Sequence, residues 1–357
     1  MNDHKIEAYR TSQGVRIYRI PLHLFPGLDG YVHLVCVMEI RALIDAGSGF
    51  GNSNEQLEAG LATIEQKFGE AASWDDITHI LISHGHIDHF GGLPFVQERC
   101  RAPVGIHELD RRILIDYEGR LSIVAQRLCE FLVEAGVSKA QQEQLMDLYL
   151  LNKHLFRSVP IDFTYNQGGM QIGPIEVIHT PGHCPGHVVF LIDDILLSND
   201  HVLKDTSPHQ APERLSLNTG LGHYLVSLEK VRPLSPFVST VLGGHEGPFE
   251  NLEKRILEIQ SLHEERLACV LEISQCPKTL AQISEELFPD VNGYHELLAI
   301  EEAGAHVEYL EQRGYLRIVN MDEIRLNQND PIQYQRREAT LFPGIILNSG
   351  LAKVRRR

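Results

Sequence analysis

No C-x-x-C pair occurs in this chain, and its six cysteines, at 36, 100, 129, 184, 269 and 276, form no dense framework. That usage belongs to a reducing cytosol rather than to a disulfide-stapled secreted domain. No apolar run of about 18 residues is present, so no membrane-spanning helix is expected. The N-terminus, MNDHKIEAYR, has no basic stretch followed by an apolar one, so no secretory signal is expected either, and a cytoplasmic location follows. Positive charge is in deficit: 32 Lys and Arg stand against 48 Asp and Glu, for a net charge of −16. A phosphate backbone is repelled on average by such a surface, which disfavours nucleic acid as a partner. The basic end, Lys353-Val354-Arg355-Arg356-Arg357, reads as a solvated terminus. Internal repeats and low-complexity segments are absent.

What is present is ordinary globular composition, 43% hydrophobic and 22% charged residues over 357 positions. That length suits one large domain with a smaller appendage and a core that needs no staple to fold. Val15–Leu22, Tyr31–Met38 and Ala42–Asp45 are β-rich runs separated by glycine-containing turns. Asn54–Phe68 carries Leu57, Leu61, Ile64 and Phe68 at helical spacing. The strand Ile77–Ser83 follows, with a short helix after Gly92, so the start of the chain reads as layered α/β. Residues 107–155 read as a helical insertion, Glu108–Ala135 and Lys139–Asn152, punctuated by Gly136. Its apolar residues, Ile113, Ile115, Tyr117, Leu121, Leu132 and Leu148, suit either a packed hairpin or the wall of a lid over a pocket. Strands resume at Ile161–Tyr165, Ile175–His179, Val188–Ile192 and Ile195–Ser198, and then a helix near Tyr224–Val231 precedes Thr240–Leu242. Beyond Leu252 the pattern is mostly helical, at Leu252–Ser274, Leu280–Leu287 and His295–Arg313. A small hairpin of Tyr315–Val319 with Glu323–Leu326 is expected after them, the layout of a winged helix.

The strongest chemical signal is Ser83-His84-Gly85-His86-Ile87-Asp88-His89, placed just after a strand. Imidazole and carboxylate are ligands for zinc, iron or manganese, and four such donors in six residues can serve two adjacent ions. Three further candidates stand at strand-to-loop transitions: His183 in Thr180-Pro181-Gly182-His183, Asp200 after Ile195–Ser198, and His245 in Gly243-Gly244-His245. Glycine beside two of them lets the backbone approach closely.

The order Asp45, H-x-H-x-D-H, T-P-G-H, Asp and G-H resembles the metallo-β-lactamase-fold hydrolases over about residues 15–250. The resemblance implies a catalytic domain at 1–250, an αββα sandwich with a helical insertion at about 107–155. A mostly helical, winged-helix-like domain is expected at 251–330, and a tail at 331–357. It implies a first ion held by His84, His86 and His183, a second by Asp88, His89 and His245, and Asp200 as the bridge. Asp45 would orient the site without binding, and Asp88 would also accept or steer a proton. Two divalent ions, zinc foremost with iron or manganese as alternatives, would lower the pKa of bound water toward ~7 and supply a hydroxide for hydrolysis. Two departures stand out: Asp200 lies in Ser-Asn-Asp-His, and His245 is followed by Glu246, which bears on the pocket rim.

The neighbouring polar residues carry weaker expectations. His187 is expected to support the ligands, with direct ligation the lesser alternative, and His179 to lie at a strand end without binding metal. Cys184 suits a small packed side chain better than a thiolate ligand. His201 and His209 suit substrate contact or an exposed loop equally, and His223 and Tyr224 suit packing before substrate contact. The implied function is hydrolysis of a small thioester or ester: acyl-CoA, a glutathione thioester or a lactone. The winged-helix-like tail suggests the alternative of a single-strand RNA endoribonuclease or another phosphodiesterase. Segment 279–313 is rich in glutamate, so packing or homodimerisation suits that tail better than DNA binding. A non-enzymatic regulator is disfavoured by the intact ligand set, and a physiological β-lactamase by the absence of an export signal.

Overall fold

The computed structural model describes residues 5–166, 169–327, 329–337 and 344, so the basic end Lys353–Arg357 lies outside the described residues. The backbone separates into two compact units. Unit one takes Met1–Val124, Leu150–Pro208 and Leu234–Arg255; unit two takes Ala125–Tyr149, His209–Pro233 and Ile256–Arg357. The single boundary near residue 250 proposed from sequence is a division in chain order. In space, 125–149 and 209–233 group with the C-terminal helices.

Unit one is built on two sheets. The larger runs β1 (Glu7–Arg10), β2 (Arg16–Phe25), β3 (Leu28–Val37), β4 (Ile40–Ile44), β5 (His79–Leu81), β6 (Val104–His107) and β7 (Phe163–Tyr165), in that spatial order. Pairing is antiparallel from β1 to β4 and parallel from β4 to β7. The second sheet has the order β12 (Thr240–Gly243), β11 (Ile195–Asn199), β10 (Val188–Ile192), β9 (Ile175–His179) and β8 (Met170–Ile172). Only β11 and β12 in it run parallel. Helices α1 (Ser53–Phe68), α2 (Ile87–Phe90), α3 (Leu93–Arg99) and α4 (Glu108–Ile115) complete the unit.

Period-two alternation decides which side of each strand faces which layer. In β2, Tyr18, Ile20, Leu22 and Leu24 join Leu57, Leu61 and Ile64 of α1 in the core between helices and sheet. The opposite face sends Ile17, Val35, Ala42, Ile44 and Leu81 against Val177, Val188, Phe190, Ile192, Leu197 and Leu242, forming the core between the two sheets. Helix α1 stops at Gly69, which takes the left-handed conformation with φ of 70°. Strand β6 is a four-residue buried run between β5 and β7 that was not legible in the sequence, because it has no alternation to display.

The helix expected at Glu108–Ala135 is broken. Helix α4 ends at Asp116, and α5 (Tyr117–Ala135) starts afresh, with the Tyr117 N–H donated to Ser158 Oγ at 2.9 Å. Tyr117 is buried, and Ile113 and Leu121 pack against the helix–sheet core, so these three serve packing. Helix α5 and α6 (Lys139–Leu150) both cross the chain boundaries between the units.

Unit two contains α7 (Leu221–Val231), most of α8 (Leu252–Ile273), α9 (Leu280–Leu287), α10 (Tyr294–Gln312) and α11 (Met321–Leu326). Helix α9 starts on a capping box, in which Thr279 and Gln282 satisfy each other's backbone N–H groups. Its small antiparallel sheet has the order β13 (Lys278–Thr279), β15 (Gln333–Arg336), β14 (Leu316–Ile318). The expected hairpin strand Glu323–Leu326 is instead part of α11, whose first turn carries Asp322 and Glu323 at the end of the helix dipole that favours acids. Asn320 draws in the true partner strand: its Nδ2 donates to Pro331 O at 2.8 Å, and its Oδ1 accepts from Gln333 N at 2.9 Å. Among the described residues, no helix is long and apolar enough to cross a membrane.

Candidate metal centre

Five strands of unit one end at the same place. Asp45 follows β4, the 84–89 loop follows β5, His183 lies beyond β9, Asp200 follows β11 and His245 follows β12. All seven residues expected from sequence to hold metal are brought together there. The donor atoms of His84, His86 and His183 lie within 4.8 Å of one another, as do those of Asp88, His89, Asp200 and His245. Asp200 Oδ2 joins the groups. It lies 3.4 Å from the Nε2 atoms of His89 and His245, 3.7 Å from that of His183 and 3.9 Å from that of His84. Asp88 Oδ2 is 3.4 Å from His245 Nε2 and 3.6 Å from His89 Nε2.

The outer ring of hydrogen bonds sets which nitrogen each histidine presents. His89 Nδ1 donates to Asp45 Oδ2 at 2.8 Å, which turns Nε2 inward. Asp45 also accepts the Ser83 N–H at 2.7 Å and the Ser83 hydroxyl at 2.8 Å, and Ser83 Oγ accepts from His84 Nδ1 at 3.0 Å. One carboxylate therefore orients two histidines without joining the donor groups. His245 Nδ1 donates to Asp29 O at 2.7 Å. His187 stands behind the centre: the Asp200 N–H donates to its Nε2 at 3.2 Å, and its Nδ1 donates to Thr180 Oγ1 at 2.9 Å. It supports Asp200 and belongs to neither donor group.

Three residues at the site hold left-handed backbone without being glycine: Asp45 (φ 65°), Asn199 (φ 47°) and Glu246 (φ 60°). Such conformations cost about 1–3 kcal/mol each and persist where the surroundings over-determine them. Glu246 explains its departure from the family pattern. Its carboxylate accepts the N–H groups of Asp205 and Thr206 and the Thr206 hydroxyl, so it ties the loop after Asp200 to the loop bearing His245. Arg19, fully buried, donates to the carbonyls of Gly243 and Glu246 from the other side.

The electrostatics match a site made for cations. Burial, then the neighbouring His89 and His86, holds His84 well below its usual pKa, and burial with His183 holds His86 at about 3. Both rings are neutral donors at pH 7. Burial raises the Asp200 carboxyl, but His245 and His89 outweigh it and hold it well below its usual range. Burial lowers His89, while Asp200, Asp45 and Asp88 pull it far above its usual value. Among the described residues, Asp200 Oδ1 and His89 Nε2 are buried with no hydrogen-bond partner. Five imidazoles and two carboxylates converging here are a donor set that fits two divalent cations of the zinc, iron or manganese kind.

The weaker expectations resolve physically. His179 donates Nε2 to Pro185 O at 2.9 Å and stacks on His107 at 3.9 Å, away from the donor groups. His201 is fully buried and Tyr224 likewise, so neither is a loop residue facing solvent. In unit two, His209 meets Leu298 O at 3.1 Å, and His223 meets Glu213 at 3.1 Å. The Cys184 thiol donates to Asp110 at 3.2 Å. Sequence reasoning assigned no role to Ser83, Arg19 or Asp110.

A third group, His263, Glu302 and His306, lies buried in unit two. Arg266 already supplies its cation, donating to Glu302 Oε1 at 2.8 Å, and Gln210 N donates to Oε2 at 2.7 Å. This is a satisfied polar core.

Comparison with known proteins bears on the same residues. A family model described as the metallo-beta-lactamase superfamily matches residues 26–245, more than half of the chain. The chain is 24% identical over 316 residues to a Bacillus subtilis protein named "Probable metallo-hydrolase YqjP", across 84% of this chain and 93% of that one. The metallo-beta-lactamase family protein TTHA1429 from Thermus thermophilus aligns with a TM-score of 0.70 at 23% identity, covering 90% of this chain and 98% of its own. A beta-lactamase domain protein from Burkholderia ambifaria aligns with a TM-score of 0.65 at 18% identity, covering 93% and 95%.

Proposed function

The chain belongs to the metallo-beta-lactamase superfamily and is a metallo-hydrolase of that fold, and from that premise we propose that it hydrolyses a small thioester or ester. The substrate class is acyl-CoA, a glutathione thioester or a lactone. What supports the hydrolytic reading is the gathering of His84, His86 and His183 in one donor group and of Asp88, His89, Asp200 and His245 in the other, with four of the imidazoles facing Asp200 Oδ2.

When bound there, two divalent cations, zinc foremost, supply Lewis-acid polarisation of the scissile carbonyl and an activated water near neutral pH. His84, His86 and His183 would hold one, Asp88, His89 and His245 the other, with Asp200 between them. The chain's own groups do the rest. Asp45 locks the ring of His89 directly and that of His84 through Ser83. Asp88, which is half-buried, would accept or steer a proton as well as bind. His187 fixes the backbone of Asp200 and so the direction of its carboxylate.

Charge favours a small substrate over RNA. With a net charge of −16, the molecule as a whole repels a polyanion. Segment 279–313 carries Glu285, Glu286, Glu296, Glu301, Glu302, Glu308, Glu311 and Asp290 against Arg313 alone. A metal-loaded preparation is assayed against acyl-CoA, S-acyl-glutathione, lactone and single-stranded RNA. Thioester or lactone turnover that His84→Ala abolishes is the expected result. RNA cleavage with inert thioesters would overturn the substrate class.

A further inference from the structure

We infer that Asp110 is a positioning residue for the three-histidine half of the centre, a reading that rests on that centre holding metal. Asp110 sits in the first turn of α4 and is fully buried. Its Oδ2 accepts the Gly85 N–H at 2.8 Å, and its Oδ1 accepts the Gly186 N–H at 2.8 Å. Gly85 lies between His84 and His86, and Gly186 lies three residues after His183. The Cys184 thiol donates to Oδ2 as well, at 3.2 Å, immediately beside His183. One carboxylate thus ties the loop after β5, from the larger sheet, to the loop after β9, from the smaller one.

The glycines show that close approach is required. A Cβ at Gly186 would stand 2.7 Å from Asp110 Cγ and 2.9 Å from its Cβ and its backbone N. A Cβ at Gly85 would stand 2.8 Å from Ile113 Cδ1 and 3.3 Å from Asp110 Oδ2. Among the described residues, three donors and no acceptor hydrogen-bond to the Asp110 carboxylate, so an acceptor-only group fits and an amide does not. In Asp110→Asn the side-chain NH2 must confront one backbone N–H, which leaves a buried donor unsatisfied and frees one loop from the other. His84 and His86 on one loop and His183 on the other then lose their common reference. His89, Asp200 and His245 keep theirs, since Asp45, His187 and Asp29 respectively hold them.

The test reads the two halves separately. Metal-stripped protein is titrated with zinc against a chromophoric chelator, with His183→Ala and His245→Ala identifying the two steps. Asp110→Asn is expected to weaken the step that His183→Ala removes by about 10–100-fold and to leave the other nearly unchanged. Cobalt substitution should show the matching change in the visible spectrum of that half alone. Equal weakening of both steps, or of neither, overturns the assignment. A second readout needs no metal: amide exchange at Gly85 and Gly186 should be as slow as in the strands in metal-free wild type and fast in Asp110→Asn. Fast exchange in the wild type overturns the proposal even if the variant does not fold. Wild type that takes up no metal removes the hydrolase reading, while the exchange data still decide the role of Asp110.

Discussion

Replacing Gly244 by alanine adds one carbon beside the bridging carboxylate. A Cβ built there stands 2.5 Å from Asp200 Oδ1 and 3.0 Å from His89 Cε1, where ordinary contact starts at 3.4 Å. The loop has no room to yield. Gly244 N–H donates to Asn199 O at 3.0 Å, and Gly244 O accepts from Tyr31 N at 2.9 Å. The Asp200 backbone is held in turn by His187. What remains is rotation of the carboxylate by about 0.9 Å at Oδ1, which swings Oδ2 away from the four imidazoles it faces. Metal–ligand distances tolerate only about 0.2 Å. Overpacking of this kind costs about 1–3 kcal/mol, which a unit of this size survives. The expected result is a folded protein with reduced metal content after dialysis at limiting zinc. Its kcat should fall about 100-fold, the effect of an ångström-scale misplacement. Metal analysis by plasma emission, a thermal melt and steady-state rates suffice to check it. A Gly244→Ala protein with two full equivalents of metal and wild-type turnover would refute the claim that Asp200 and this loop are packed to contact.

Three further outcomes are expected. Asp45→Asn removes one of the two oxygens shared by Ser83 and His89, and metal affinity measured by chelator competition should fall about 10–100-fold with little change in melting temperature; retained affinity would count against the orienting role. Arg19→Met strands the carbonyls of Gly243 and Glu246 and should destabilise unit one by about 3 kcal/mol in urea unfolding; a shift below about 1 kcal/mol would show these bonds to be replaceable by water. In unit two, burial lifts Glu302 to about 7 against the opposing pull of Arg266, and burial holds His306 at about 4. Glu302 therefore adds stability at low pH that is lost as pH rises from its ordinary 4.5 through about 7. His306 adds stability above its ordinary 6.5 that is lost as pH falls toward about 4. The wild-type denaturation midpoint should decline between pH 6.5 and about 7.5, and Glu302→Gln should abolish that decline. Coincident profiles for the two proteins would sink the account.

Much of the centre was legible because its signals are local. The H-x-H-x-D-H run keeps four donors within six residues, and short β-to-loop transitions place such runs at sheet ends whatever the rest of the chain does. His183, Asp200 and His245 were legible through glycine and strand-end position. Parallel pairing of β4 with β5 brings Asp45 to the 84–89 loop, and that of β11 with β12 brings Asp200 to His245. Asp110 was not legible: it lies in a helix that reads as ordinary amphipathic chain, and its partners are the backbone N–H groups of Gly85 and Gly186 and the Cys184 thiol, all far from it in sequence. The hairpin at 323–326 failed for a related reason, since Asn320 selects the later strand through bonds that no alternation pattern displays.

Residue order alone determined the donor chemistry, the alternating strands and the α/β class, because these depend on side-chain type and on periods of two to four residues. Only the folded chain decided which oxygens and nitrogens face each other, which segments join unit two, and which buried carboxylates brace the loops. Hydrogen bonds between residues far apart in sequence require loop closure, and no short-range pattern records where a chain will close.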